Sequence, residues 1–259
     1  MSKFKAVIFD WAGTVIDFGS FAPMGAFVET FAKFGVHVTI ADARKPMGLP
    51  KRAHISAMLS EPHIAARWTA AQGSAPDEGA IDKVYDLFVP LNEEVVVDYC
   101  TLIPGTLETM AYLRAKGIKI GSTTGYTRSI MDRVLPLAAE QGFVPENLIC
   151  ADDLPLGRPT PIGMYKCFLD LMVYPAGAVI KVDDTEPGLA EGVAAGCITV
   201  GLTLSGNEAG VTADELAALS PNERAALHEK IGAKLKGAGA DHIIETVADL
   251  PQLIDMLER

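Results

Sequence analysis

The sequence is short of positive charge. It contains 22 Lys and Arg residues against 33 Asp and Glu residues, which gives a formal net charge of −11. Nucleic-acid binding depends on a basic face that neutralises phosphates, so this balance argues against a nucleic-acid partner. A small anionic substrate is still compatible with it, because a few local cations are enough to bind one.

The sequence also lacks paired cysteines and long apolar runs. Its cysteines are Cys100, Cys150, Cys167 and Cys197. They form no CxxC pair and no cluster, so we expect buried free thiols. No apolar run approaches the length of a membrane span, and the first residues do not have the pattern of a signal peptide. We therefore expect a cytoplasmic protein with no membrane partner.

What the sequence does contain is an alternation of short apolar strands and helices. With 259 residues, 49% of them hydrophobic and 21% charged, the chain can bury a large globular core. The strand-like segments are FKAVIFD near the start and, from about residue 100, IKIGSTTG, NLICADD, AVIKVDD and CITVGLT. This alternation predicts an α/β fold with a doubly wound, Rossmann-like parallel sheet.

Residues 20–99 differ, because they show helical periodicity without convincing strands. We therefore predict a core domain from residues 1–19 and 100–259, with residues 20–99 inserted as an all-helical cap domain, called the cap segment below. Ligands of doubly wound sheets bind beyond the carboxyl ends of the strands. A segment inserted after the first strand is placed to close over that edge as a lid.

The residues that end the predicted strands, or precede the next helix, suit a phosphate and metal site. In chain order they are Asp10, Thr124 with Gly125, Arg158, and Asp183 with Asp184. The carboxylates suit Mg²⁺, which prefers oxygen ligands. The hydroxyl, the unobstructed backbone N–H and the guanidinium suit phosphate oxygens. Each position alone is a weak signal, but together they predict one shared site at the carboxyl edge of the sheet.

This order of strand ends resembles the haloacid dehalogenase superfamily of aspartate-nucleophile phosphotransferases, with a helical cap inserted after the first motif. The resemblance implies that Asp10 is the nucleophile and forms an aspartyl-phosphate. It implies one Mg²⁺ per subunit between Asp10, the backbone carbonyl of Ala12 and Asp184, with Asp183 behind these ligands or as an additional one. The phosphate-binding residues that it implies are Thr124, Gly125 and Arg158, the last where many relatives have Lys.

Ala12 departs from the pattern of the superfamily's phosphatases. They have a second Asp two residues after the nucleophile, which protonates the leaving alkoxide and later activates water. A methyl group can do neither, so ordinary phosphate-ester hydrolysis lacks its general acid. Either the site only binds its ligand, or its leaving group needs no such acid. A carbanion expelled from a phosphorus–carbon bond is such a leaving group, and a lysine imine can accept its electrons.

Lys51 is the candidate for this imine. In ARKPMGLPKRAHISAM, Pro50 is predicted as the first helical residue, which puts Lys51 in the first turn of a helix. The helix dipole disfavours an ammonium group there, and the charge of Arg52 adds to this effect, so we expect a lowered pKa for Lys51. His54 lies three residues on, on the same helix face, where it could transfer a proton.

Five stretches narrow the resemblance to the phosphonatase family, the phosphonoacetaldehyde hydrolases: VIFDWAGT, FAPMGAF, ARKPMGLPK, IKIGSTTGYT and IKVDDT. The resemblance implies hydrolysis of 2-phosphonoacetaldehyde to acetaldehyde and phosphate, with Lys51 as the imine lysine and His54 in proton transfer. It implies that Met47 lines the cap side of the site. It also favours a homodimer through the cap helices, such as APMGAFVETFAKF. It leaves Tyr126 and residues 205–240 without a role.

Three alternatives remain open at this point. A sugar-phosphate phosphatase or mutase needs an acid at position 12, where this sequence has alanine. A dehalogenase would use Asp10, but it leaves the metal ligands and Lys51 unexplained. A catalytically inactive phosphate- or metal-binding member of the superfamily has no use for Lys51.

Overall fold

Five short strands form the centre of this computed structural model, which describes residues 2–259. They are β1 (Ala6–Phe9), β2 (Lys119–Ser122), β3 (Val179–Asp183), β4 (Ile198–Leu202) and β5 (His242–Ile244). Their order in the sheet is β2-β1-β3-β4-β5, and every neighbouring pair is parallel. Parallel neighbours need crossover connections, which helices supply here. The predicted α/β fold with a parallel sheet is therefore confirmed.

The cap segment lies between β1 and β2 in the chain and forms helices. They are α1 (Ala22–Lys33), α2 (Ile40–Arg44), α3 (Lys51–Ser60), α4 (Pro62–Gln72) and α5 (Glu78–Val95), followed by a 3₁₀ helix at Val96–Tyr99. An apolar cluster of its own holds these helices together, and in it the rings of Phe27 and Phe88 stack 4.1 Å apart. The apolar residues of α1, Phe27 and Phe31 among them, are thus buried within one chain. The homodimer through this helix stays a prediction.

The remaining helices pack on the sheet. They are α6 (Thr106–Ala115), α7 (Arg128–Glu140), α8 (Ile162–Leu171), α9 (Glu186–Ala195), α10 (Ala213–Ala218), α11 (Pro221–Gly237) and α12 (Leu250–Leu257), with short 3₁₀ helices at Ala176–Ala178 and Val247–Asp249. The threonines Thr127 and Thr185 cap α7 and α9, because their side chains accept from backbone N–H groups of the first turn. Each of these two helices therefore begins directly after a strand-end loop.

The structure differs from the expected elements in two places. The predicted strand NLICADD is reduced to one bridge between Ile149 and Thr123. The backbone N–H of Cys150 donates to the carboxylate of Asp153 at 2.7 Å, so the ladder does not continue. Strand β5 was not predicted, because three residues are too few for a clear alternation pattern.

Two expectations drawn from absences can be compared with the structure. All four cysteines are free and buried, which confirms the expected thiols. Within residues 2–259, no helix has both the length and the apolar character needed to cross a membrane.

Candidate active site

The carboxyl ends of β1, β2 and β3 meet at one edge, where the cap segment covers them. Seven of the predicted site residues line one small cavity there: Asp10, Ala12, Met47, Lys51, Thr124, Gly125 and Arg158. The other three, His54, Asp183 and Asp184, are fully buried close by. The structure therefore brings the predicted residues together, although their catalytic roles stay predictions.

Three carboxylates form the floor of this site. Oxygens of Asp10, Asp183 and Asp184 lie within 4.8 Å of one another, and all three side chains are buried. Burial raises the pKa of Asp10 to about 6, with a further contribution from the charge of Asp183 and opposing ones from Arg158 and Lys181. Burial, together with the charges of Asp10 and Asp183, raises the pKa of Asp184 well above its usual value. The cluster is thus crowded with negative charge.

Two buried cations lie beneath the carboxylates. Arg158 Nη1 is 2.9 Å from Asp10 Oδ1, and Arg158 Nε is 3.1 Å from Glu191 Oε2. Lys181, a fully buried residue of β3, places Nζ 3.0 Å from Asp183 Oδ2. Sequence reasoning missed Lys181 and Glu191. A signal for Lys181 was present, because a lysine in the middle of the apolar strand VIKVD is buried only when it is paired.

Arg158 has few donors left for a phosphate, although a free guanidinium can bind two phosphate oxygens at once. Its Nη2 donates to the carbonyl oxygen and the hydroxyl of Thr123, at 2.7 and 2.8 Å, and its Nε bonds to Glu191. Only Nη1, which makes ion pairs with Asp10 at 2.9 Å and Asp183 at 3.4 Å, is left for another ligand. Arg158 can therefore offer a single nitrogen, Nη1, to a phosphate and not a pair of nitrogens.

The charges of this region favour a divalent cation. Four buried carboxylates, Asp10, Asp183, Asp184 and Glu191, face the two buried cations described above. With all four ionised, these carboxylates outnumber Arg158, Lys181 and a protonated Lys51 by one, and burial together with this crowding of like charge raises the pKa values of Asp10 and Asp184. Buried charges without a partner are strongly unfavourable, and carboxylate oxygens are ligands that Mg²⁺ accepts. The donor set therefore fits a bound Mg²⁺.

Asp184 is oriented by two groups that sequence reasoning did not find. Thr14 Oγ1 donates to Asp184 Oδ1 at 3.0 Å, and the backbone N–H of Asn207 donates to Asp184 Oδ2 at 2.7 Å. Gly13 adopts a φ of +80°, and a Cβ atom there would collide with the carboxylate of Asp184. The loop after β1 therefore approaches Asp184 closely only because glycine occupies this position.

Lys51 enters the cavity from the cap segment. It is the first residue of α3, with Pro50 as the N-cap, and it is only 2% exposed. Its Nζ lies 4.8 Å from the ring centroid of Tyr126. Burial lowers the pKa of Lys51 to about 8, while Asp10 opposes and Arg158 reinforces this shift. The expected lowering of the pKa is thus present.

The expected contribution of Arg52 to this shift is wrong. The guanidinium of Arg52 points to the surface, where it pairs with Glu78 at 2.7 Å and Asp82 at 2.8 Å. Burial and the charge of Arg158 act on Lys51 instead. Arg52 is next to Lys51 in the chain, but adjacent helical residues point in different directions, so its charge does not lie beside the Lys51 amine.

His54 is held as a neutral base. Its Nε2 lies 2.8 Å from the carbonyl oxygen of Ala43, so Nε2 bears the proton, and its ring stacks on Phe27 at 4.1 Å. Burial and the charge of Lys51 lower its pKa well below the usual value. Nδ1 is buried and has no hydrogen-bond partner among residues 2–259. The ring is therefore neutral, and the lone pair of Nδ1 is free to accept a hydrogen bond.

Two hydroxyl groups in the cavity are also without partners. Ser20 Oγ and Tyr126 OH are buried, and neither makes a hydrogen bond within the described part of the chain. Both residues line the cavity beside Lys51. Buried hydroxyls are normally satisfied, so these two mark a place for a polar ligand. No pattern in the sequence indicated Ser20, which lies in a loop before α1.

The cap segment and the core touch directly above the cavity. A Cβ atom at Gly125 would lie 3.0 Å from the carbonyl oxygen of Leu49, a residue of the cap segment. At Gly48, which has a φ of +91°, a Cβ atom would collide with Thr185 of the core, since it would lie 2.3 Å from Thr185 Oγ1. Glycines at these two positions let the loop 45–50 rest on the strand-end loops, which closes the cavity.

Comparisons with known proteins show the family to which the chain belongs. The family model described as haloacid dehalogenase-like hydrolase matches residues 4–196. The chain is 49% identical over 258 residues to a curated phosphonoacetaldehyde hydrolase of Paraburkholderia phytofirmans, covering 100% of this chain and 97% of that protein. It is 45% identical over 256 residues to one of Salmonella typhi, covering 98% and 95%.

A solved structure gives the same result. The crystal structure of a phosphonoacetaldehyde hydrolase-like protein from Oleispira antarctica superposes with a TM-score of 0.97 at 43% sequence identity, covering 100% of this chain and 94% of that one. The chain is thus an enzyme of the haloacid dehalogenase-like hydrolase class. Within that class it belongs to the phosphonoacetaldehyde hydrolase family.

Proposed function

We propose that this enzyme hydrolyses the phosphorus–carbon bond of 2-phosphonoacetaldehyde, a step of phosphonate degradation, to give acetaldehyde and phosphate. The observation that carries the proposal is a buried lysine, Lys51, in the same cavity as the carboxylate of Asp10, with Ala12 where a phosphatase needs an acid. The names of the full-length relatives support the choice of substrate.

Lys51 would begin the reaction by attacking the aldehyde carbon. The amine nitrogen forms a bond to carbon, the carbonyl oxygen leaves as water, and a protonated imine results. A pKa of about 8 makes a useful fraction of this amine neutral near neutral pH. Nδ1 of His54 and the hydroxyls of Ser20 and Tyr126 are buried without hydrogen-bond partners, and they would relay the protons of this step through hydrogen bonds.

Asp10 would then attack phosphorus. One carboxylate oxygen forms a bond to phosphorus as the phosphorus–carbon bond breaks, and the released electron pair neutralises the imine to give an enamine. Protonation at carbon and hydrolysis of the imine release acetaldehyde and restore Lys51. A water molecule cleaves the aspartyl-phosphate, so the whole reaction consumes one water.

Mg²⁺ would be held by Asp10, Asp184 and the backbone carbonyl of Ala12. When bound, it offsets the repulsion between an anionic nucleophile and an anionic substrate. The phosphoryl oxygens would be bound by the N–H of Gly125, the hydroxyl of Thr124 and Nη1 of Arg158. The Ala12 methyl group leaves this side of the cavity without an acid. None is needed here, because the imine accepts the electrons of the leaving carbon.

The cap segment would open to admit substrate and close to exclude water. Residues 20–99 have their own apolar cluster and meet the core near the cavity through loop 45–50, which favours movement as a unit. Because Lys51 belongs to the cap segment and Asp10 to the core, closure would assemble the site.

Purified enzyme is expected to release phosphate and acetaldehyde in equal amounts from phosphonoacetaldehyde. This release should stop in excess chelator and resume when Mg²⁺ is restored.

Asp184→Asn should lose about 10³-fold or more of kcat, because it removes a charged metal ligand while keeping the shape of the side chain. Phosphate release and thermal unfolding are the measurements, the latter to establish that the variant is folded.

Asp214→Asn, at an exposed position of α10, is the matched control and should behave as the unaltered enzyme. Full activity of Asp184→Asn, or of the enzyme in chelator, would contradict the metal role. Tight phosphate binding without turnover of phosphonoacetaldehyde would favour the alternative of an inactive binding protein.

The pH dependence of kcat/KM should follow the ionisation of the Lys51 amine. Imine formation needs the neutral amine, so kcat/KM should rise with pH up to an apparent pKa near the folded value of about 8 and level off above it. Below that pKa the rate should fall about tenfold per pH unit, because the ammonium form accumulates. Initial rates of phosphate release across this range test the prediction. A rise that continues to the unshifted value of 10.5 would contradict it.

A further inference from the structure

One arginine of the cap segment makes hydrogen bonds to the core outside the cavity. Arg44, the last residue of α2, points Nη1 at three acceptors: the carbonyl oxygen of Gly19 at 2.7 Å, that of Asn207 at 3.1 Å and Asn207 Oδ1 at 3.2 Å. Asn207 returns a bond, because its Nδ2 donates to the carbonyl oxygen of Arg44 at 3.2 Å. The two residues are therefore joined in both directions.

Asn207 also contacts the catalytic edge of the core. Its backbone N–H donates to Asp184 Oδ2 at 2.7 Å. Two residues earlier in the same loop, Ser205 Oγ donates to the carbonyl oxygen of Gly13 at 2.9 Å. The loop after β4 thus holds both Asp184 and the turn after β1, and one of its residues is bound by the cap segment.

Arg44 directly precedes the loop that closes the cavity. The carbonyl oxygen of Arg44 accepts from the backbone N–H of Met47 at 3.1 Å, and the loop ends at Lys51. The core is shaped to receive the guanidinium. Gly210 has a φ of +57°, and a Cβ atom there would lie 3.0 Å from Arg44 Cζ. Within the cap segment, the ring centroid of Phe21 lies 4.8 Å from the same atom.

From these contacts we propose that Arg44 and Asn207 form a latch that couples closure of the cap segment to the placement of Asp184. When the latch is made, the loop bearing Met47 and leading to Lys51 is seated, and the Asn207 N–H is held on Asp184. Both residues are positioning residues, since neither lines the cavity. The effect of the latch on turnover rests on the proposed function, whereas the hydrogen bonds of Arg44 and Asn207 do not depend on it.

Amide hydrogen exchange tests the latch without substrate. In Arg44→Ala, the amides of Met47 in the cap segment and Asn207 in the core should both exchange about tenfold faster or more, because charge-assisted bonds that hold the two loops are lost. If only the Met47 amide changed, the role of Arg44 would be local to the cap segment and the latch would be refuted. In turnover, kcat/KM should fall about tenfold, with kcat lowered as well as KM raised.

Two further variants make the test specific. Asn207→Ala removes both side-chain bonds to Arg44 but keeps the backbone N–H that reaches Asp184, so it should accelerate exchange at Met47. The effects in the double variant should be clearly less than additive, because either single substitution already removes the bond between Arg44 Nη1 and Asn207 Oδ1. Only the bond from Asn207 Nδ2 to the backbone carbonyl oxygen of residue 44 is lost in addition when Asn207→Ala is combined with Arg44→Ala. Additive effects in the double variant would overturn the proposal.

Arg67→Ala is the matched control within the cap segment. Arg67 donates to the carbonyl oxygen of His37 at 2.7 Å and makes that contact within the same segment. Its loss should leave the exchange of Met47 and Asn207 and the turnover unchanged. Absence of phosphonoacetaldehyde turnover in the unaltered enzyme would refute the proposed function. The exchange experiment would still test the latch, because it is made without substrate.

Discussion

Lys51→Arg is expected to abolish turnover of phosphonoacetaldehyde, with a loss of about 10⁴-fold or more in kcat. Arginine keeps a positive charge near Asp10 but cannot form an imine at neutral pH. Without the imine, the breaking phosphorus–carbon bond would have to expel an enolate, which is less stabilised than an enamine. The variant therefore separates covalent chemistry from simple attraction of the substrate by charge. It should still bind phosphate.

Borohydride gives the matching positive result. Added with phosphonoacetaldehyde, it should reduce the imine, inactivate the enzyme permanently and leave a mass adduct on Lys51. Lys45→Arg is the control, because Lys45 lies in the same cap segment with its side chain 55% exposed and paired with Glu61 at 3.4 Å. That variant should keep its rate and its label. Near-native turnover in Lys51→Arg, or an adduct on Lys45, would remove the basis of the proposed mechanism.

Asp10→Asn is expected to lose turnover to a similar extent, about 10⁴-fold or more. The amide has nearly the shape of the carboxylate but is a poor nucleophile towards phosphorus. Its effect on folding should be small, because burial already raises the pKa of Asp10 to about 6, so the neutral form is tolerated at this position. Phosphate release and thermal unfolding are the measurements.

The two variants should differ in one respect that fixes the order of steps. In Asp10→Asn, Lys51 is intact, so borohydride with phosphonoacetaldehyde should still label it. In Lys51→Arg, no label should form. If Asp10→Asn were not labelled although it binds substrate, imine formation would depend on the nucleophile and the proposed order would be wrong.

Much of the fold could be predicted from local pattern. Strand segments such as FKAVIFD and AVIKVDD are mostly apolar, with one lysine each and aspartates only at their ends, as expected of strands buried on both faces. The helical pattern of residues 20–99 is equally local, and the structure has helices there. The missed strand β5 is three residues long, and the shortened NLICADD segment depends on a side chain, Asp153, that competes for a backbone N–H.

The candidate site was predictable where its residues follow strands. Parallel strands bring their carboxyl ends to one edge, so Asp10, Thr124 and Asp184 had to lie near one another once the strands were identified. Lys51 was predictable for a chemical reason, because Ala12 creates a need for an electron sink. The family resemblance and the chemistry agreed on that residue.

Other contacts of the site could not be predicted from the spacing of residues along the chain. Glu191 and Lys181 are far from Arg158 in the chain, and only the folded sheet brings them to its guanidinium and to Asp183. Arg158 could be predicted as a cation near the site, but not that Thr123 and Glu191 already use most of its donors.

The kinds of chemistry present can be recognised in the chain before it folds: a strand-end carboxylate, a missing acid at Ala12 and a lysine at a helix start. Those follow from residue identity and from periods of two and 3.6 residues, which are local properties. The charge and the orientation of each group depend on the fold. The pKa of Lys51 depends on burial rather than on its neighbour Arg52, and the orientation of Asp184 depends on Asn207, because desolvation and hydrogen bonding act through space, not along the chain.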